Sequence, residues 1–159
     1  MTSQPNERWM RAAIELALDG VRRGAGGPFG AVVVRDGAVL GSACNEVLAT
    51  SDPTAHAEVV AIRRACAAAK SFSLQGCALF TSCEPCPMCL GAIYWSRIER
   101  VYFACTRADA AHAGFDDAFF YAELARAPGE RKLRFEQSLR DEALVAFQTW
   151  TAKSDRTPY

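Results

Sequence analysis

The chain carries no excess of charge of either sign: 18 Lys and Arg balance 18 Asp and Glu over 159 residues. Proteins that hold a phosphate backbone usually carry a basic stripe, so nucleic acid is not expected as the main partner. No run approaches the ~20 apolar residues of a membrane-spanning helix, and the polar start MTSQPNERW has no apolar leader. A cytoplasmic location, with reduced thiols, is therefore expected. Repeats, low-complexity tracts and linkers are also lacking, which predicts one domain over residues 1–159 with residues 153–159 as a polar tail. The seven cysteines are an odd number and cannot all pair within the chain. Clustered ones then read as metal ligands or catalytic groups.

Half of the residues are hydrophobic, enough for a sizeable core. NERWMRAAIELALDGVRRG sets Trp9, Ala13, Leu16, Ala17 and Val21 at helical spacing, and Gly24 suits its end. FGAVVVRDGAVLGSACN reads as two strands joined by Asp36-Gly37, a dipeptide that favours a tight hairpin. AHAEVVAIRRACAAAK is a second helix, started by Asp52-Pro53 or by Thr54. The remainder reads as strand CALFTS, helix PMCLGAIYWS, strand RVYFAC, helix DDAFFYAELARA, strand KLRFEQS and helix RDEALVAFQTWTAK. This alternation predicts an α/β fold: a three-layer α/β/α sandwich around a mixed five-stranded sheet.

SCEPCPMC holds two overlapping C-x-x-C pairs, Cys83 with Cys86 and Cys86 with Cys89. Pro85 disfavours helix at Glu84 and Pro87 suits a first helical position, which makes Cys86 an N-cap with Cys89 over the same helix end. The positive end of that helix favours thiolate. Upstream, HAE sets His56 and Glu58 two residues apart, roughly 200° of helical rotation. They converge only if His56 lies at or before the first turn. H-x-E followed by P-C-x-x-C is the signature of zinc deaminases, in which the carboxylate is not a ligand. The expected ligands are His56, Cys86 and Cys89, with a fourth position open and Glu58 moving protons. Cys44, Cys66, Cys77 and Cys105 read as small apolar fillers, and His112 as a loop histidine.

In GGPFGAVVVRDG, SDPTAHAEVVAIR, TSCEPCPMCLGAIYWSRIERVYFA and AGFDDAFFY the chain resembles the bacterial guanine deaminases of the cytidine-deaminase-like zinc superfamily. The first and third stretches are shared in outline with tRNA adenosine deaminases, whereas YW, AGFDD and a terminal tyrosine are narrower. The resemblance implies one zinc per subunit on His56, Cys86 and Cys89, with Glu58 as proton shuttle and Asp117 assisting. It also implies that Asn45 hydrogen-bonds a purine base and that Phe29, Ala57 and Trp95 help form the pocket. The C-terminal segment would be exchanged in a homodimer, so that Tyr159 closes the partner's site. The implied reaction is hydrolysis of guanine to xanthine and ammonia, with water activated on zinc attacking C2. The alternatives are a tRNA adenosine deaminase, a deaminase of another heterocycle, and a closed structural zinc completed by Cys83. A structural zinc would have no use for Glu58.

Overall fold

The computed structural model describes residues 5–159. From the N-terminus run α1 (Pro5–Arg22), β1 (Gly30–Arg35), β2 (Ala38–Cys44), the short α2 (Val47–Thr50) and α3 (Ala57–Ala69). Then follow β3 (Ala78–Cys83), α4 (Pro87–Trp95), β4 (Arg100–Cys105), α5 (Arg107–His112), α6 (Asp117–Ala125) and α7 (Arg140–Ala152). Among the described residues the sheet has four strands in the order β2-β1-β3-β4. β1 is antiparallel to β2 and β3, while β3 and β4 are parallel, so the sheet is mixed.

The layers follow from strand alternation. Ala31 and Val33 join Leu79 in a core with α3 residues such as Ala61 and Ala65, on one face. Val32 and Val34 join Phe80 and Ala13 of α1 on the other. Asp36 and Gly37 both take positive φ, +50° and +76°, as the hairpin dipeptide requires. Two glycines let the helices approach. A Cβ at Gly30 would overlap the Ala13 carbonyl and lie 2.6 Å from Ala17 N of α1. At Gly41 it would overlap the Ala61 carbonyl and lie 2.6 Å from Ala65 N of α3.

The described chain divides into a larger unit that ends at Tyr121 and a second, Ala122–Tyr159. The second holds the end of α6, a 3-10 turn at Pro128–Glu130, α7 and the tail. No residue of this unit is buried, and Leu133, Phe135, Val145 and Phe147 are all exposed.

The expected fifth strand, KLRFEQS, does not form: residues 132–138 contain no strand, which leaves four rather than five. Its two-residue alternation satisfies the side-chain pattern of a strand, but a strand also needs an edge to pair with. The Lys132 amide instead donates to Glu123 Oε2 at 2.7 Å. α5 was not expected, although Thr106 and Asp109 form a reciprocal capping box at its start. His112 ends that helix. Cys44 and Cys77 are buried fillers, but Cys105 is exposed at the end of β4.

Gly41→Ala should force α3 away from β2. Overpacking of this kind costs about 3 kcal/mol, or about 10 °C in a thermal melt at this chain length. A melt unchanged from wild type would mean that the helix layer yields freely there.

Candidate active site

Two helices begin at one place. His56 is the N-cap of α3, with extended backbone (φ −67°, ψ 150°), so its ring leaves the chain before helical rotation begins. Glu58 lies in the first turn. Cys86 is the extended N-cap of α4, with Pro87 as first helical residue, and Cys89 follows within the first turn. The His56 Nδ1 atom stands 3.6 Å from Cys86 Sγ and 3.5 Å from Cys89 Sγ. The three ligand atoms all fall within 4.8 Å of one another.

Tetrahedral ligands at ~2.0 and ~2.3 Å from a zinc ion lie roughly 3.5 Å apart, so this donor set fits zinc in distance as well as in chemistry. Cys83 does not join it. It is the last residue of β3, and its thiol donates to the Thr106 carbonyl at 3.5 Å. Burial pushes that thiol up to about 12. Three protein ligands with an open fourth position describe a catalytic zinc site rather than a structural one.

The neighbouring Cys89 sulfur and the His56 imidazole bring Cys86 down to about 4, while the same closeness to Cys86, with burial, pushes Cys89 up. The hydrogen bond with Cys86 likewise raises His56. Glu58 is 3% exposed. Its Oε1 accepts from the buried Thr81 hydroxyl at 2.9 Å and its Oε2 from Cys89 at 3.4 Å. Burial holds its carboxyl above the ordinary glutamate range.

These groups open onto a cavity of about 380 Å³ walled by Phe29, Val47, Leu48 and Phe115, with Asn45, Glu84 and Asp117 as polar points. Phe29 and Phe115 meet edge to face, ring centroids 4.8 Å apart. Asn45 is buried, and its Oδ1 accepts from the Gly27 and Val47 amides, each at 3.2 Å. The amide nitrogen is thus the end available to a ligand. A Cβ at Gly26 would overlap Asn45 Oδ1, so this close approach needs glycine. The adjacent carboxylates divide. Asp116 Oδ1 accepts from Phe119 N at 3.2 Å and caps α6, whereas Asp117 lines the cavity. Burial, then the neighbouring Cys86 thiolate, raises the Asp117 carboxyl above its ordinary range.

Of the ten residues expected in the site, His56, Glu58, Cys86, Cys89, Asn45, Phe29 and Asp117 come together, whereas Ala57 and Trp95 do not line the cavity. Ala57 packs into the core beneath α3. Trp95 is 64% exposed at the end of α4, and Tyr159 lies edge-on to Trp150 within the second unit. Glu84, Phe115 and Thr81 were not anticipated. Glu84 sits inside SCEPC and Phe115 inside AGFDD, so both were within motifs already singled out.

Residues 3–105 match the cytidine and deoxycytidylate deaminase zinc-binding region. The guanine deaminase of Bacillus subtilis is 49% identical over 154 residues, 97% of this chain and 99% of that protein. Its crystal structure superposes with a TM-score of 0.93, covering 96% of this chain and 98% of that one. The structure of a guanine deaminase from Nitrosomonas europaea gives a TM-score of 0.67 at 27% identity, covering 86% of this chain and 70% of that one. A tRNA-specific adenosine deaminase of Aquifex aeolicus is 42% identical over 92 residues, 58% of this chain and 60% of that protein.

Replacing His56, Cys86 or Cys89 by alanine should each abolish stoichiometric zinc, read by metal analysis of the purified protein. Cys83→Ala should keep about one zinc per chain. Loss of zinc in Cys83→Ala would restore the closed four-ligand site.

Proposed function

Because the chain belongs to the cytidine and deoxycytidylate deaminase zinc-binding family, we propose that it hydrolyses guanine to xanthine and ammonia. One observation carries the choice of base. Similarity to a guanine deaminase runs through 97% of the chain, C-terminal unit included, whereas similarity to the Aquifex tRNA deaminase covers 58%. The absence of net charge agrees with a neutral, flat substrate held between aromatic walls.

His56, Cys86 and Cys89 would hold the zinc, which supplies Lewis acidity and lowers the pKa of a coordinated water toward ~7. The chain's own residues do the rest. Asn45, its amide oxygen tied to two backbone donors, presents its nitrogen to an acceptor on the base edge. Phe29 and Phe115, packed edge to face, form an apolar wall that excludes water. Glu58, oriented by Thr81, takes the proton of the attacking water and delivers it to N3 as oxygen bonds to C2. The C2–N bond then breaks, and the departing amine needs a proton on another side of the same carbon. Asp117, raised by burial and by Cys86, retains a proton more readily than an ordinary aspartate and lies on the cavity wall to supply it. The second water proton leaves the oxygen on C2 as it becomes a carbonyl and replaces the one that Asp117 gave, so the balance is guanine and water in, xanthine and ammonia out.

The same reading includes a homodimer with an exchanged C-terminal segment. It is supported by apolar surface that a single chain leaves in water. α4 has no charged residue, yet Met88, Tyr94 and Trp95 are exposed, and the second unit exposes Leu133, Phe135, Phe147 and Tyr159. Tyr159 and Trp95 would act from such an assembly.

Ammonia release from a panel of free bases, nucleosides and a tRNA stem-loop tests the substrate: guanine should lead the panel, and the stem-loop leading would overturn the choice. Glu58→Gln should keep zinc and lose ~10²–10⁴ in kcat. Asp117→Asn should lose at least ~10² while Asp116→Asn, which keeps a capping oxygen, costs little. An Asp117→Asn enzyme at wild-type rate would leave all proton work to Glu58. Deleting the last five or so residues should leave a folded, zinc-loaded protein with poor deamination. Mixing it with Glu58→Gln subunits should restore some activity through hybrid dimers; no recovery despite hybrid formation would sink the exchanged cap.

A further inference from the structure

Glu84 lines the cavity between β3 and the ligand Cys86, yet both of its carboxylate oxygens are already engaged. Oε2 accepts from the Arg107 amide at 3.0 Å, and Oε1 from the Arg107 guanidinium at 3.1 and 2.6 Å. That guanidinium lies 4.2 Å from the centre of the Tyr121 ring. The Tyr121 hydroxyl then donates to the Pro85 carbonyl at 2.9 Å, which returns the chain of contacts to the residue beside Glu84. The Glu84 amide is itself fixed on the Cys105 carbonyl at 2.8 Å. The circuit joins three segments far apart in sequence: the ligand loop, the first turn of α5 and α6.

Tyr121 stands four residues after Asp117 on α6, so the two lie one turn apart on one helix face. Whatever holds Tyr121 against Pro85 therefore sets how far Asp117 stands from the metal ligands. The proton Asp117 supplies has to reach an atom bonded to the reacting carbon, and a displacement of about an ångström there costs rate without costing binding. Asp116 fixes only the start of the helix, not its distance from the site.

We propose that Glu84, Arg107 and Tyr121 are positioning residues that lock helix α6, and with it Asp117, against the ligand loop at Pro85–Cys86. The proposal rests on the role given to Asp117 above. As a partly exposed ion pair, Glu84–Arg107 contributes little to overall stability; its function is register.

The test is a double-mutant cycle. Arg107→Gln and Tyr121→Phe are each made in the wild-type and the Asp117→Asn backgrounds, with kcat, KM, zinc content and melting temperature measured for all. Arg107→Gln should lower kcat about 10-fold and leave KM within about 2-fold, with zinc stoichiometric. In the Asp117→Asn background the same change should cost less than about 2-fold, because there is no longer a proton donor to misplace. Tyr121→Phe, which removes one oxygen atom, should follow the same pattern more weakly and covers the case in which Arg107→Gln folds poorly. Equal losses in both backgrounds, unchanged kcat in the single variants, or zinc lost together with activity would each overturn the proposal. All rates are taken on the base that the wild type turns over, so a wrong substrate appears as wild-type failure on guanine and is distinguishable from failure of the cycle.

Discussion

Two helices must begin against each other for this site to exist. An N-cap residue has extended backbone, so its side chain can leave the chain in a direction that no residue inside the helix could take, and His56 and Cys86 both occupy such positions. The convergence also sets the electrostatics. Each helix start carries unpaired amides and partial positive charge, and together they oppose the negative charge that two cysteines and a buried glutamate gather in one place. Were either helix to start one residue later, His56 would face away from the thiols or Cys89 would lose its place beside Cys86. The depth of Glu58 has the same origin: a first-turn carboxylate lies beneath its own N-cap, where the Thr81 hydroxyl and the Cys89 thiol reach it.

What the sequence made legible was local. Pro87 at a helix start, an N-cap before it and a thiol three residues on are rules of single-chain geometry, so the ligand set could be read without knowing the fold. The hairpin at Asp36-Gly37 was legible for the same reason, since both residues must take positive φ. The fifth strand was not, because alternation in KLRFEQS describes side chains whereas a strand is defined by its neighbour. Glu84 escaped notice although it lies within the most informative motif. Its partner Arg107 is 23 positions away, and the spacing of SCEPC says nothing about it. Trp95 is the reverse case: the resemblance assigned it to the pocket, and in the single chain it is 64% exposed at a helix end and does not line the cavity.

The pair Asp116-Asp117 illustrates how environment rather than residue type assigns a role. Both are aspartates at a helix start, a place where either would be stabilised by the helix dipole. One spends its oxygen on the Phe119 amide and stays in solvent; the other faces the cavity, where burial and a nearby thiolate alter its acidity. The first keeps the helix end in order, which leaves the second available for chemistry.

Gly26 extends this division of labour to selectivity. A side chain there would collide with Asn45 Oδ1, the atom whose two amide bonds decide which end of the carboxamide faces the cavity. The choice between reading a base through a donor or through an acceptor is therefore made by backbone amides and an absent Cβ on the cavity's own rim. Exchanging the aromatic and aliphatic side chains of the wall would leave that hydrogen-bond polarity intact; reshaping the glycine loop would change it with every one of those side chains in place.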